Sequence, residues 1–590
     1  MAVAVREIRP VAHLPLMLGM LRKLDVAAII DGLLPPHPDN VISCGRGVEA
    51  LVLAILDGHH ALYKVGARLE ERGMVPLLQA GLERESLNDA RLGQMLDALF
   101  AANLNRVFSA LALKALAVYA IPTPWIHQDT TTIALYGAYE GSPETGEKAG
   151  ETVPPVAPRP ASGHSKDGRP ELKQVLLSLG VSGDGGLPLR PGIRDGKTSD
   201  STETPVAIEE CLALGLEGVK GIVADSKAYN QRTLGLCIEK RIGLVTLVPR
   251  TCAVRRELEV WGYQQPALPL LLEKPGRTQR DAPRRWCGQS VVRRVAVEYI
   301  DGCVGQEDRR FLVVHSSPLA QQEAKAYVAA QAKEAGRVAD HIKRVEVKQY
   351  ACAADAEAAI ADYEGRGQGR RGRRPQPWCY HTLRYRVAAF TQRKKRTHRG
   401  RPPTGEPAQE ESRYRLMVET EPLEQAEDAK GWTVLATTVG AQVSSDLQIL
   451  QAYHEQHITV ESGFRWVKNP AAITPVWLEK PERIASLAML TVVGLLVYTL
   501  IQRQVRLYLQ SQHQSVPGNK GATTTPTAAL VLSLFTPVMM VQLQVGRTAV
   551  QQVYGWQGHH GMVCDALGID RSWYAVPTTH HKRPLHTTPT

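Results

Sequence analysis

Apolar residues recur at helical spacing from the start of the chain to about residue 118. Leu92, Met95, Leu96, Leu99 and Phe100 follow an i, i+3, i+4, i+7, i+8 pattern, with Asn88 or Asp89 placed to cap that helix. Pro35 and Pro36 separate an earlier apolar helix from one that starts near Arg46. Residues 1–118 therefore read as an all-α domain. The period changes after Ile121-Pro-Thr-Pro124. Trp125 to Leu135 has the β-branched and aromatic content of a strand, and a Pro- and Gly-rich linker occupies 140–170. A hairpin follows, with Leu172 to Val181 and Leu187 to Ile193 flanking Ser-Gly-Asp-Gly-Gly. Thr202 to Leu214 predicts a helix, and Gly221 to Asp225 and Leu244 to Val248 predict short strands. Strands and helices that interleave in this way point to an α/β layer structure over 119–250.

From 251 to 430 the pattern loosens. Phe311 to His315 and Tyr414 to Val418 predict strands, and an Ala-rich stretch from 318 to 361 predicts a long helix. Regular alternation returns over 431–510. Val434 to Val439 reads as a strand, Ser444 or Ser445 caps a helix running to about Lys468, and a second helix covers 482–510. Ile484 to Ile501 is uncharged over 18 residues, near the lower limit for crossing a bilayer. Charge resumes at once with Arg503 and Arg506, so a buried core helix is the preferred reading. Residues 511–590 read as a polar linker and a small helical tail.

The formal charge of +11 favours polyanionic partners without requiring them. Its distribution says more. Thirteen Lys or Arg residues and no acid lie between Arg366 and Arg401, among them Arg393, Lys394, Lys395 and Arg396. Trp378, Tyr380, Tyr385 and Phe390 are interleaved with them. Basic side chains grip phosphates and aromatic rings stack on bases, so this stretch predicts contact with nucleic acid; the alternative is a solvated loop. The nine cysteines form no C-x-x-C pair, which argues for free thiols in a reducing compartment and against a cysteine zinc site. Arg6, Glu7 and Arg9 precede any apolar run, so no signal peptide is expected.

Three acids stand out by position. Asp129 lies inside an apolar strand, where an unpaired carboxylate is costly. Asp225 ends the strand Ile222-Val-Ala-Asp225, and acids at strand ends in an α/β sheet often share a crevice. Glu461, Arg465 and Lys468 are spaced i, i+4, i+7, so one helix face carries an acid and two bases. Each also fits a plainer role, as a turn cap or a helix-surface ion pair.

The segments HQDTT (127–131), GHSKDGRPELKQ (163–174), VADSKAYN (223–230) and VESGFRWVKNP (460–470) resemble the DDE transposases of bacterial insertion sequences. The closest likeness is to the group whose third acid stands in a Tyr-Arg-Glu-Lys signature. LNDARLGQMLDALF, in the helical N-terminal segment, is similar to the domain that precedes the catalytic core in one branch of that group. The resemblance spans about 10–505, with four separated segments in the right order. It implies an α/β fold: a ribonuclease H-like catalytic core, interrupted by a strand-containing insertion domain and preceded by an all-α domain. It also implies that Asp129, Asp225 and Glu461 are catalytic and hold metal. Lys468 follows Glu461 at the signature's distance, but His454 and His457 occupy the places of the Tyr and Arg. Arg465 or His457 is then left to make the phosphate contact of that arginine.

Three carboxylates suit hard divalent ions, Mg²⁺ or Mn²⁺, and hold two of them about 4 Å apart. The expected partners are double-stranded DNA, both the element's terminal inverted repeats and the target, with a homodimer on paired ends. Lys468, Arg465, His457 and the Arg393 to Arg396 cluster are the DNA-binding candidates, together with the helical N-terminal domain, 1–118, which is expected to bind element ends and flanking DNA. No membrane association is expected, and the compartment is the prokaryotic cytoplasm, close to the nucleoid. A nuclease that never joins strands and a non-catalytic DNA-binding protein are the rivals. A glycosidase using paired carboxylates would leave the basic stretch unexplained.

Overall fold

The computed structural model describes residues 3–35, 40–137, 139, 156–163, 165–166, 168–276, 278, 281–364, 378–393, 410–424, 430–468, 476 and 478–574. The chain divides into two compact units. The first comprises Met1–Pro249, Ser290–Leu312 and Leu435–Thr590, and the second Arg250–Gln289 and Val313–Val434. The fold is mixed α/β.

The elements of the central layer are numbered here in chain order, all in the first unit except the start of β6, Trp432 to Val434. They are β1 (Trp125–Leu135), β2 (Lys173–Ser182), β3 (Pro188–Arg194), α1 (Asp200–Leu212), β4 (Gly221–Ala224), α2 (Gln231–Glu239), β5 (Leu244–Leu247), β6 (Trp432–Thr437), α3 (Asp446–Val467) and α4 (Pro481–Ser511). The strand order is β3-β2-β1-β4-β5-β6. β1, β2 and β3 pair antiparallel, β4 and β5 run parallel to β1, and β6 returns antiparallel to β5. β1 is longer than its parallel neighbour. Its register with β4 ends at Gln128↔Ala224, and β1 continues to Leu135. A step therefore opens at the carboxyl ends of the short parallel strands, where α/β sheets commonly place their sites.

Alternation along β1 sends its side chains to two different layers. Ile126 joins a cluster with Leu189, Ile208, Ile222 and Leu234, under α1 and α2. Ile133 and Leu135 face the other way, into a cluster that includes Val460 and Phe464 of α3 and most of α4. α3 begins with a capping box, Ser445 accepting from Gln448 N–H and Gln448 reaching back. Asp446 in its first turn is held by Ser290 N–H at 3.0 Å and by Arg310.

α4 is apolar on every face, and 94% of its most apolar window is buried inside the protein. By length and composition it passes the test for a membrane span. Here protein covers it: Ser486 donates to Leu96 O at 2.8 Å, Arg483 forks onto Asp97 at 2.8 and 2.7 Å, and Gly494 lies close to Trp466, Ile55 and Leu56.

The N-terminal helices share one continuous core with α4 and with β1 and β2, and they group with the first unit. Residues 1–118 are not all-α. Val3–Arg9 is a strand, paired antiparallel with Met539–Val545, which in turn pairs with Thr548–Tyr554. The tail beyond 511 thus carries a hairpin beside its helices Ala528–Leu534 and Gly558–Leu567. The capping expectation at Asn88 is met: its side chain accepts from Arg91 N–H at 2.9 Å.

The second unit spans Arg250–Gln289 and Val313–Val434, and residues 290–312 group with the first unit. Its helix Ser317–Glu346 and its shorter helix Ala353–Tyr363 divide the Ala-rich stretch at Gln349–Tyr350. They pack on a three-stranded antiparallel sheet in which His381–Arg393 pairs with Glu410–Pro422 in unbroken register. Buried Glu334 ties the sheet to the long helix, accepting from Cys379 N–H at 3.0 Å and Tyr380 N–H at 2.7 Å.

Candidate functional site

Register places Asp129 beside Asp225. Each stands one residue beyond the last parallel pair, Gln128↔Ala224, at the step where β4 ends and β1 runs on. Asp129 Oδ1 accepts from its neighbour's amide, Thr130 N–H, at 2.7 Å. Asp225 caps the turn Ser226–Ala228, accepting from Lys227 N–H at 3.0 Å. Its carbonyl takes the hydroxyl of Thr246 from β5. Both carboxyl groups are half-buried and both resist ionisation. Burial pushes Asp129 up to about 6, and the charges of Asp225 and Asp200 add to it, against the Thr130 amide and Lys166. Burial likewise raises Asp225, with Asp200 adding and Lys227 and Lys166 opposing.

Asp200 is an acid that sequence reasoning missed. It is the first residue of α1, behind the cap Ser199, and it accepts the Thr130 hydroxyl. On sequence it looks like an ordinary first-turn acid favoured by the helix dipole. α1 is fixed in place by a buried ion network. Arg190 pairs with Glu203 at 3.0 Å, Arg194 meets Glu203 at 2.8 Å and Glu210 at 2.9 Å, and Arg190 and Gln128 both donate to Ser178. Lys166, quoted above within GHSKDGRPELKQ, completes the cluster by pairing with Asp200 at 3.1 Å.

His127 is a second residue that sequence reasoning did not single out. It shares Asp129's face of β1, is fully buried, and has no hydrogen-bond partner at either ring nitrogen among the described residues. Burial pushes it down to about 4, so it is neutral at neutral pH.

Among the described residues, Glu461 does not join the pair in a metal-holding group of three acids. Gln456 of α3 reaches the carbonyl of Gln128 at 3.5 Å and so marks the helix face that meets the strand before Asp129. Five residues at roughly 100° each turn Glu461 about 140° away from that face. Val460, Gly463, Phe464 and Val467 are buried, whereas Glu461, Ser462 and Arg465 are exposed. Arg465 borders a cavity of about 850 Å³ with Trp125, Trp466 and Tyr498, beyond the amino end of β1. Lys468 is the C-cap of α3. His457 is helical, but its side chain lies outside the described residues.

Among the described residues, no group of three or more His, Cys, Asp or Glu is arranged to hold a metal ion. Asp129 and Asp225 offer the oxygen donors that a hard divalent ion takes, but as a pair and not as the expected triad.

In the second unit the basic stretch divides. Arg393 is exposed at the end of its strand, opposite Glu410, while Lys394, Lys395 and Arg396 lie outside the described residues. Arg386 is paired with Glu419 at 3.2 Å. The interleaved aromatics are not free platforms. Tyr385 stacks on Tyr363 and Trp378 packs edge-on to His341, so these rings build the unit's own core.

Residues 6–113 match a domain of unknown function (DUF4277). No curated protein matches the chain. Among solved structures, a likeness is found to a piggyBac transposase, in a cryo-EM structure of its synaptic complex with hairpin DNA. It has 10% identity and a TM-score of 0.23, and covers 50% of this chain. The chain spans 60% of that chain's length. That likeness is too slight to bear on the fold or the chemistry described above.

Proposed function

We propose that the protein is a DNA transposase of the DDE type, acting on insertion-sequence ends and joining them to target DNA. The observation that carries this reading is the side-by-side placement of Asp129, within β1, and Asp225, just past the carboxyl end of the parallel strand β4. Two further features support it: the order β3-β2-β1-β4-β5, which suits a ribonuclease H-like core, and the four motif segments, which fall on β1, the β1–β2 loop, β4 and α3. In this reading Glu461 is the third acid and joins the pair from α3 when DNA is engaged. Bound divalent metal would supply an activated oxygen nucleophile and charge neutralisation at the phosphodiester. Asp129 and Asp225 would hold it, and the buried sheet beneath them would keep their carboxyl groups at fixed spacing. Lys468, Arg465, His457 and the basic segment of the second unit would hold DNA, with two copies of the chain on paired ends.

The test is a comparison of Asp129→Ala, Asp225→Ala and Glu461→Ala with Glu455→Ala, on DNA carrying the element's ends, with Mg²⁺ or Mn²⁺. Carboxylates repel phosphates, so gel-shift affinity without metal should be equal or slightly higher in all four. Cleavage and joining should be lost in the first three and kept in Glu455→Ala. Wild-type cleavage by Glu461→Ala would remove Glu461 from the site. Cleavage without joining by the wild type would make the protein a nuclease, and binding without cleavage a DNA-binding protein.

A further inference from the structure

Lys166 is tied to this site more closely than any other cation described here. Its own N–H donates to Thr132 Oγ1 at 3.2 Å, which pins the β1–β2 loop to β1. Its ammonium donates to Thr130 O at 2.8 Å and to the Thr130 hydroxyl, and pairs with Asp200 Oδ1 at 3.1 Å. Thr130 also donates its hydroxyl to Asp200, so lysine, threonine and aspartate close a small network directly after Asp129 in the strand. The Lys166 side chain is 25% exposed and that of Asp200 20%, so neither charge is fully screened by water. The charge of Lys166 acts on both Asp129 and Asp225, favouring the ionised form of each.

We propose that Lys166 is the resident counter-cation of the Asp129–Asp225 pair, anchored by Asp200 and Thr130, and that it restrains the affinity of the pair for divalent metal. It is a positioning residue, because it acts through the carboxylates. The inference rests on the reading that this pair binds metal. Two substitutions then have opposite signs. Removing the ammonium leaves the acids uncompensated and tightens a divalent ion. Removing Asp200 deletes a negative charge and frees the ammonium to swing onto the pair, which loosens it. A unit charge about 6 Å from a divalent ion is worth about tenfold in affinity even in water-like surroundings. Damage to packing alone would loosen the ion in both variants.

The experiment is a titration of the full chain with Mn²⁺ alone, without DNA, by calorimetry and by the electron paramagnetic resonance signal of free Mn²⁺. Lys166→Met and Lys166→Gln should each bind Mn²⁺ about tenfold more tightly than wild type, Lys166→Arg within about twofold of it, and Asp200→Asn about tenfold more weakly. Unchanged or weaker binding by both Lys166→Met and Lys166→Gln overturns the proposal. Asp129→Ala separates the two levels of the argument. If it binds Mn²⁺ as wild type does, the pair is not the metal site, and the functional reading falls together with this one. If it loses Mn²⁺ while the Lys166 variants do not tighten, only the role of Lys166 falls.

Discussion

Replacing Asp129 by Asn should stabilise the metal-free protein at neutral pH. The carboxyl is pushed from its usual 3.8 to about 6, chiefly by burial and then by Asp225 and Asp200. A group whose folded pKa is raised contributes its full stability below the unfolded value and loses it as the pH rises through the folded one. Asp129 therefore costs little below pH 3.8, progressively more as the pH rises toward about 6, and a constant amount above that. At 1.36 kcal/mol per unit, the full cost is about 3 kcal/mol. Asn carries no charge, so it lacks this penalty, while its side-chain oxygen still accepts the Thr130 amide that Asp129 accepts at 2.7 Å.

The assay is urea unfolding in chelator at pH 4, 5.5 and 7.5. Asp129→Asn should match wild type at pH 4 and exceed it by about 3 kcal/mol at pH 7.5. Saturating Mn²⁺ should then close the gap from the wild-type side, since an ion held by the folded state at a hundred times its dissociation constant adds about 2.7 kcal/mol. A difference between the two proteins that does not change with pH would refute the reasoning, as would an Asn variant less stable at every pH.

Three further outcomes follow from the structure. Burial holds His127 neutral, so its stability contribution is present above its usual 6.5 and lost as the pH falls toward about 4. His127→Leu should be no less stable at pH 7.5 and should move the acid-unfolding midpoint lower; an unchanged midpoint counts against this. Neutralising Arg393, Lys394, Lys395 and Arg396 together should weaken binding to unrelated DNA sequences and flatten its salt dependence by up to about 0.9 unit of slope per lost phosphate contact. An unchanged slope would take that segment out of the interface. α4 should stay within the protein core, so salt or alkaline washing should release the chain from membranes, and Leu496→Ala should cost about 2–5 kcal/mol of stability. Retention in washed membranes would contradict the core reading.

Local chemistry made much of the central layer legible. β1 was visible from its β-branched run, the hairpin from its Gly-rich turn, α3 from Ser445 and its spacing, and α4 from its uninterrupted apolar sequence. What failed were features decided by distant partners. Val3–Arg9 is a strand because Met539–Val545, at the far end of the chain, pairs with it. The alternation Val541, Gln542, Leu543, Gln544, Val545 could have shown that tail strand, but no local signal links it to residue 3. The aromatics near the basic stretch suggested base stacking, yet Tyr385 and Trp378 are claimed by Tyr363 and His341 from the helices. Asp200 was invisible as a site residue because only the fold carries the start of α1 to Thr130.

The acid pair shows the same division between position and geometry. Sequence put Asp129 inside one strand and Asp225 at the end of another, but proximity comes from a register set several residues earlier, between Trp125 and Gly221. A parallel pair that ends at Gln128↔Ala224 leaves Asp129 and Asp225 no choice but adjacency, half-buried above apolar layers. Hydrogen bonds from Thr130 and Lys227 offset only part of the burial, because both groups remain above their usual range. Such an arrangement is uphill for the isolated fold, and a bound cation would relieve it. Glu461 stands outside it because α3 presents Gln456, Val460 and Gly463 to the protein interior and turns Glu461 outward. If Glu461 is the third acid, α3 must rotate or shift for it to arrive, and DNA contacts at Arg465 and Lys468 on the same helix would be well placed to drive that movement. Glu461→Gln should then leave the pH-dependent gap between wild type and Asp129→Asn unchanged in the free protein, while abolishing cleavage on DNA. A gap altered by Glu461→Gln without DNA would mean that Glu461 already acts on the pair at rest.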